Sequence, residues 1–123
     1  TITDGLNIIP GVVKRLKRDP LKSEKLPHIS WSRLESKEGS HKNEIVNSIT
    51  ASDYFYFVHS YAVQTKNPDE TIMLSDYAGQ KFPSVIKKGA VIGCQFHPEK
   101  SGPSGLKFIK KFVKLCGETV ETK

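Results

Sequence analysis

Apolar and polar positions are arranged in several distinct ways along this chain, and each arrangement predicts an element. The stretch from Tyr54 to Val63, YFYFVHSYAV, is aromatic and β-branched, with apolar side chains at consecutive positions. That predicts a single central strand covered on both sides. Thr71-Ile72-Met73-Leu74 predicts another strand, with a turn at Asp76-Tyr77-Ala78-Gly79 after it. Phe82, Val85 and Ile86 form a short apolar segment ended by Lys87-Lys88-Gly89, and Ala90 to Phe96 predicts one more strand. Nearer the start, Pro10-Gly11 marks a turn, and Val12, Val13 and Leu16 suit either a strand or a short helix. His28-Ile29-Ser30-Trp31 follows Pro27, a residue that can begin a strand but not sit inside one.

The spacing changes near the end of the chain. Leu106, Ile109, Phe112, Val113 and Cys116 recur with helical period, while Lys107, Lys110, Lys111 and Lys114 fall elsewhere on the wheel. Ser101 or Ser104 is placed to cap this helix and Gly117 to end it. Cys116 reads as a small buried apolar group. Two segments carry no periodicity. Residues 17–27 are charged and hold Pro20 and Pro27, and residues 35–43 are polar and include His41; both read as loops. Ser40 or Asn43 could cap a short helix through Glu44-Ile45-Val46.

Size and composition narrow the class. A chain of 123 residues, 37% hydrophobic and 26% charged, suffices for a single domain with a core. No apolar run approaches the roughly 18 residues that a bilayer span needs. The opening TITDGLNIIPG lacks the basic and apolar regions of a signal peptide. It also lacks an initiator Met, which fits a piece of something longer. The net charge of +6 is read as a solvated basic surface rather than a nucleic-acid footprint. The lysines are dispersed, and the densest run, Lys14 to Lys25, is broken by Asp19 and Glu24 with no aromatic stacking platform between its cations. Cys94 and Cys116 have no zinc-type spacing, so no metal site is expected. Two free thiols fit a reducing, cytosolic setting.

The chemistry concentrates in GCQFHPEKSG, Gly93 to Gly102. His97 and Glu99 lie two residues apart, so side chains on an extended backbone would share one side. A carboxylate placed there can hold an imidazole in one tautomer, and the imidazole can serve a nucleophile as base and acid. The pair supplies two thirds of a hydrolytic triad. Cys94, three residues before His97, would face the opposite side of a strand and is a poor candidate for the third member.

Four segments together, GLNIIPG (Gly5 to Gly11), PHISWS (Pro27 to Ser32), YFYFVHSY (Tyr54 to Tyr61) and GCQFHPEKSG, resemble the C-terminal part of a class I, triad-type glutamine amidotransferase. Within that class they look like the glutaminase-subunit type of imidazole glycerol phosphate synthase, in histidine biosynthesis. The resemblance implies an α/β, flavodoxin-like domain with a mixed sheet and a C-terminal helix, of which residues 1–123 would be the C-terminal part. It implies a cytoplasmic glutaminase without metal or organic cofactor. In it a cysteine thiolate attacks the glutamine amide to give a thioester and ammonia. His97 is then the histidine and Glu99 the glutamate. Ser60 and Tyr61 match positions that hold the glutamine, although core packing is the alternative for Tyr61. His59 reads as a satisfied strand histidine.

The implied partner is a (β/α)8-barrel cyclase that receives the ammonia; neither nucleic acid nor membrane is implied. Lys100 matches a lysine that pairs with an acidic residue of the partner, or is an ordinary surface charge. Trp31 and Tyr56 match aromatics at the mouth of the passage, with a core Trp as the alternative for Trp31. The family's Gly-x-Cys-x-Gly elbow is not in this sequence, so the chain alone is expected to be inactive. It reads as a truncated or split gene product, or as part of a protein. Ser30 and Ser32 stand where the family usually has Gly and Asn, which leaves room for a paralogue feeding ammonia to a related synthase of surface-sugar assembly. A non-catalytic cyclase-binding module is a further reading, and a basic nucleic-acid module a remote one.

Overall fold

Five phenylalanines from distant parts of the chain meet in one core and set the architecture. The Phe55 ring lies 4.5 Å from Phe96, Phe96 lies 5.1 Å from Phe108, and Phe57 lies 5.7 Å from Phe82. All five are buried, together with Leu16, Leu34, Ile45, Val46, Ala62, Ile72, Met73 and Val85. The computed structural model describes residues 8–16, 28–37, 44–77 and 79–121.

Among the described residues there are eight strands: β1 (Gly11–Arg15), β2 (His28–Ser32), β3 (Glu35–Ser36), β4 (Phe55–His59), β5 (Tyr61–Thr65), β6 (Thr71–Tyr77), β7 (Gln80–Lys88) and β8 (Val91–Cys94). Two helices join them, α1 (Glu44–Asn47) and α2 (Gly102–Glu121), with short 3-10 turns at Pro68–Glu70 and Pro98–Lys100. β1 pairs with β5, β2 with β4, and the other four run in the order β3-β6-β7-β8. Every one of these pairings is antiparallel. The α/β character and the C-terminal helix are those expected from the sequence, and Val12 and Val13 take the strand alternative.

Some expectations need correction. The long aromatic stretch is two strands, β4 and β5, interrupted at Ser60. β4 also alternates: Phe55, Phe57 and His59 are buried, while Tyr56 and Val58 are half-buried. Apolar residues on both sides thus do not make both sides equally covered. α2 runs past Gly117 to Glu121, because a glycine can continue a helix at a modest cost when the turns around it hold. The side chain of Cys116, the loop at residues 17–27, His41 and the caps at Ser40 or Asn43 lie outside the described residues. Of residues 35–43, the first two form β3 instead of loop.

Besides the packing of Phe108, two contacts near the start of α2 hold it against the rest. Gly105 sits so close to the Pro98–Lys100 turn that a Cβ there would lie 1.9 Å from the Pro98 carbonyl oxygen and 2.9 Å from the Ser101 Cβ. Only a residue without a side chain lets the helix rest on that carbonyl. On the other side, Asp53 is buried and accepts from the Thr50 N–H (2.8 Å), the Thr50 hydroxyl (3.1 Å), the Ser104 hydroxyl (2.7 Å) and the Lys107 ammonium. Burial pushes the Asp53 carboxyl up, but the bonds from Lys107, Thr50 and Ser104 outweigh it and bring it from 3.8 down to about 2.

Folding therefore removes protons from Asp53 relative to the unfolded chain. Its contribution to stability is complete above pH 3.8 and is lost as pH falls toward 2. Asp53→Asn is expected to lower the melting temperature above pH 3.8, with the gap from the parent closing near pH 2. Thermal melts across that range check this; a gap of constant size would show that the ion pair does not set the acid limb.

Candidate active site

The site is built where β8 ends and the chain crosses to β4. The Gln95 N–H still donates to Ser84 O of β7 (3.0 Å), whereas the His97 N–H donates to Tyr56 O of β4 (2.9 Å). Within two residues the backbone has changed partners from one sheet to another. Pro98 then starts the 3-10 turn, and Lys100 N–H and Ser101 N–H close it on His97 O (3.0 Å) and Pro98 O (3.1 Å). Gly102, at φ +61°, turns the chain into α2, a conformation that costs a side-chain-bearing residue more.

This turn brings His97 and Glu99 together as the sequence predicts. Their Nδ1 and Oε1 atoms are 2.8 Å apart, and the side chains are 39% and 57% exposed. Glu99 is held below the ordinary carboxylate range, first by its own backbone N–H, then by the bond to His97, with the charges of His97 and Lys100 adding to these. An ionised carboxylate only accepts. Nδ1 therefore carries the proton in that bond, which leaves Nε2 as the ring atom that can act as a base.

Of the other sequence-predicted residues, Trp31 on β2 and Tyr56 on β4 lie beside this pair, while Ser60 and Tyr61 stand farther along, where β4 gives way to β5. Trp31 stands opposite Tyr56 in the β2–β4 register, with ring centroids 5.8 Å apart, and Tyr56 lies 6.4 Å from the His97 ring. Trp31 is 52% exposed, outside the buried core of the described residues. Tyr61 is likewise 52% exposed. Ser60 occupies the break between β4 and β5, and its carbonyl accepts from Leu16 N–H at 2.8 Å. Lys100 is exposed at the end of the turn. His59 is a satisfied buried histidine: its Nδ1–H donates to Tyr61 O at 2.8 Å, and burial lowers its pKa against the opposing effect of that bond.

Cys94 is placed differently from the alternation argument, because β8 ends at Cys94 and residues 95–97 are not strand. It helps line a hollow of about 100 Å³ with Val63, Ser84, Ile86 and Gln95, on the β5–β7 side of the chain. The thiol donates weakly to Phe96 O at 3.5 Å. Although the residue keeps an exposed face, desolvation by the surrounding protein and the charge of Glu99 push the thiol up to about 11. A thiol so rarely ionised is a poor nucleophile. Ser30 and Ser32, two residues apart on β2, have hydroxyls 2.8 Å from each other. The two substitutions noted in PHISWS thus act as one interacting pair.

Two supports of the site do not follow from the sequence pattern. Serine before a helix suggests only a cap at Ser101; its hydroxyl instead donates to His97 O at 2.6 Å and accepts from Tyr56 N–H at 2.9 Å. Gly105 plays no part in the hydrophobic pattern, though the spacing Ser101-Gly102-x-x-Gly105 directly after the His-Pro turn is a visible signal of close packing.

Residues 11–116 match the model of the family described as "Glutamine amidotransferase class-I". The chain belongs to the class I glutamine amidotransferases. Among curated relatives, this amidotransferase chain is 45% identical over 113 residues to the imidazole glycerol phosphate synthase subunit HisH of Methanocaldococcus jannaschii, covering 90% of this chain and 52% of that protein. It is 40% identical over 116 residues to the subunit of the same name from Methanosarcina barkeri, covering 94% of the chain and 54% of the relative. Against the one from Chlorobium chlorochromatii the identity is 36% over 111 residues, covering 90% and 52%. The amidotransferase chain thus spans about half the length of the curated relatives it matches. Among the described residues, no helix is long and apolar enough to cross a membrane.

Proposed function

We propose that this chain is the C-terminal part of a single glutamine amidotransferase domain, the cytoplasmic glutaminase subunit of an imidazole glycerol phosphate synthase. The observation that carries the reading is the 2.8 Å contact between His97 Nδ1 and Glu99 Oε1, in a turn that leaves the imidazole open to solvent. His97 Nε2 takes the proton of a cysteine thiol supplied outside residues 1–123. The thiolate attacks the side-chain amide of glutamine, and the same proton goes to the leaving nitrogen as the thioester forms. Water then releases glutamate, with His97 again as base. Glu99 keeps the ring oriented and steadies its charged form.

Ser60 and Tyr61 hold the glutamine at the β4–β5 break. The ammonia passes along the Trp31–Tyr56 face to a (β/α)8-barrel cyclase, and Lys100 pairs with an acidic residue of that partner. The Ser30–Ser32 pair on the same strand as Trp31 keeps a second reading alive, in which the recipient is a related synthase of surface-sugar assembly.

The test combines residues 1–123 with the N-terminal half of the Methanocaldococcus jannaschii relative and the cyclase, and measures glutamate release. Activity is expected only when both halves are present, and none from residues 1–123 alone. A stable complex that binds the cyclase yet never releases glutamate would replace this reading with the non-catalytic binding module.

A further inference from the structure

Three hydrogen bonds form a closed ring around the base of His97. Its N–H donates to Tyr56 O, its carbonyl accepts from the Ser101 hydroxyl, and that hydroxyl accepts in turn from Tyr56 N–H. A serine hydroxyl has one proton to give and two lone pairs. Ser101 spends its proton on one residue and a lone pair on the other, at 2.6 Å and 2.9 Å. Its oxygen thereby occupies the place of the backbone acceptor that the strand adjoining β4 would supply if it continued. The strand has ended, because the next residues must turn to present the imidazole.

Ser101 is 1% exposed, so nothing from solvent can substitute for the hydroxyl. It is also held from behind. Its carbonyl accepts from Gly105 N–H at 3.3 Å, and the close approach of Gly105 leaves no space for the turn to retreat toward α2. Removing the hydroxyl takes the acceptor from Tyr56 N–H and releases one of the two bonds to the His97 carbonyl, the other being from Lys100 N–H.

We propose that Ser101 is a positioning residue for the imidazole: it locks the backbone of His97 to Tyr56 and so fixes the direction of the His97–Glu99 pair. Its consequence for turnover rests on the glutaminase reading, but its effect on the ring does not.

The experiment therefore reads the ring first. In residues 1–123, nitrogen NMR of the His97 imidazole reports how fully the proton is held on Nδ1 toward Glu99. Ser101→Ala is expected to shift His97 from one defined ring signal to an averaged one, and Ser101→Thr, which keeps the hydroxyl, to restore it. Ser75→Ala is the control. Ser75 is equally buried and its hydroxyl donates to Arg33 O at 3.0 Å, in the four-stranded sheet rather than in the His97 turn. It is expected to lower stability without moving the His97 signals. In the complemented glutaminase, Ser101→Ala is expected to lower kcat about tenfold to a hundredfold while KM changes less than about twofold.

If Ser101→Ala leaves the ring signals as they were, the proposal is overturned. It is overturned equally if Ser75→Ala moves them as much at the same loss of stability. Should Ser101→Ala fail to fold, Ser101→Cys, which keeps a weak donor of similar size, takes its place with the same expected direction. An altered ring with no glutaminase in any complemented form upholds the positioning role and removes the glutaminase reading alone.

Discussion

His97→Ala in the complemented glutaminase is expected to lower kcat by about 10⁴-fold, at the upper end of what a positioned acid–base group contributes. Ammonia-dependent turnover by the cyclase should be untouched, which separates loss of the base from loss of assembly. Glu99→Gln should cost less, on the order of 10²–10³-fold, because the ring remains but its Nδ1–H loses the charged acceptor that orients it and stabilises the imidazolium. Two features support this order. The bond from Nδ1 to Glu99 leaves Nε2 as the basic atom of the ring, and Glu99 is held below the ordinary carboxylate range first by its own backbone N–H and then by the bond to His97. Glutamate release from the two variants checks both. Retention of activity within tenfold in His97→Ala would remove the triad assignment.

The second large effect falls on stability. Phe55→Ala is expected to cost about 3–5 kcal/mol, as for other large core aromatics cut back to alanine. Phe55 is 0% exposed, and its ring lies 4.5 Å from Phe96 and 6.4 Å from Phe108. It therefore joins β4, the residue before His97 and α2 in one contact set. Against a total of roughly 5–15 kcal/mol for a domain, that loss is a large fraction of the whole. Urea melts of residues 1–123 check it. A loss under about 1 kcal/mol would show that the surrounding rings close over the space, and that β4 is anchored from elsewhere.

Much of the molecule was legible from residue pattern. The helical spacing from Leu106 onward, a strand beginning at Thr71 and the closeness of His97 to Glu99 stand as expected, because each depends on neighbours in sequence. β6, however, runs on through Asp76 and Tyr77, whose pattern reads as turn, and the short apolar segment around Phe82 is the nine-residue strand β7. What was not legible depends on contacts between distant residues. Nothing local in YFYFVHSYAV marks Ser60 as a break; it arises because β4 pairs with β2 while β5 pairs with β1. Strand alternation does not explain why Cys94 is a poor nucleophile, because β8 stops at Cys94; its place in the hollow beside β5 and β7, where desolvation disfavours the thiolate, does. Serines before helices usually cap them, and only the position of Tyr56, 45 residues earlier, redirects the Ser101 hydroxyl.

The two sides of the site are mounted on supports of unequal firmness. His97 is tied into the ring with Tyr56 and Ser101 above the phenylalanine core. Tyr61 belongs to a two-stranded ribbon in which β1 is exposed at every residue and β5 buries only Ala62. Amide protons of the ribbon should then exchange with solvent through small local openings, and those of His97 and Tyr56 only when the core itself opens. On warming, the β1–β5 ribbon that carries Tyr61 is then expected to loosen while the His97 turn still stands in place. Under the proposed glutaminase reading, heat would loosen the grip on substrate before it disturbed the chemistry.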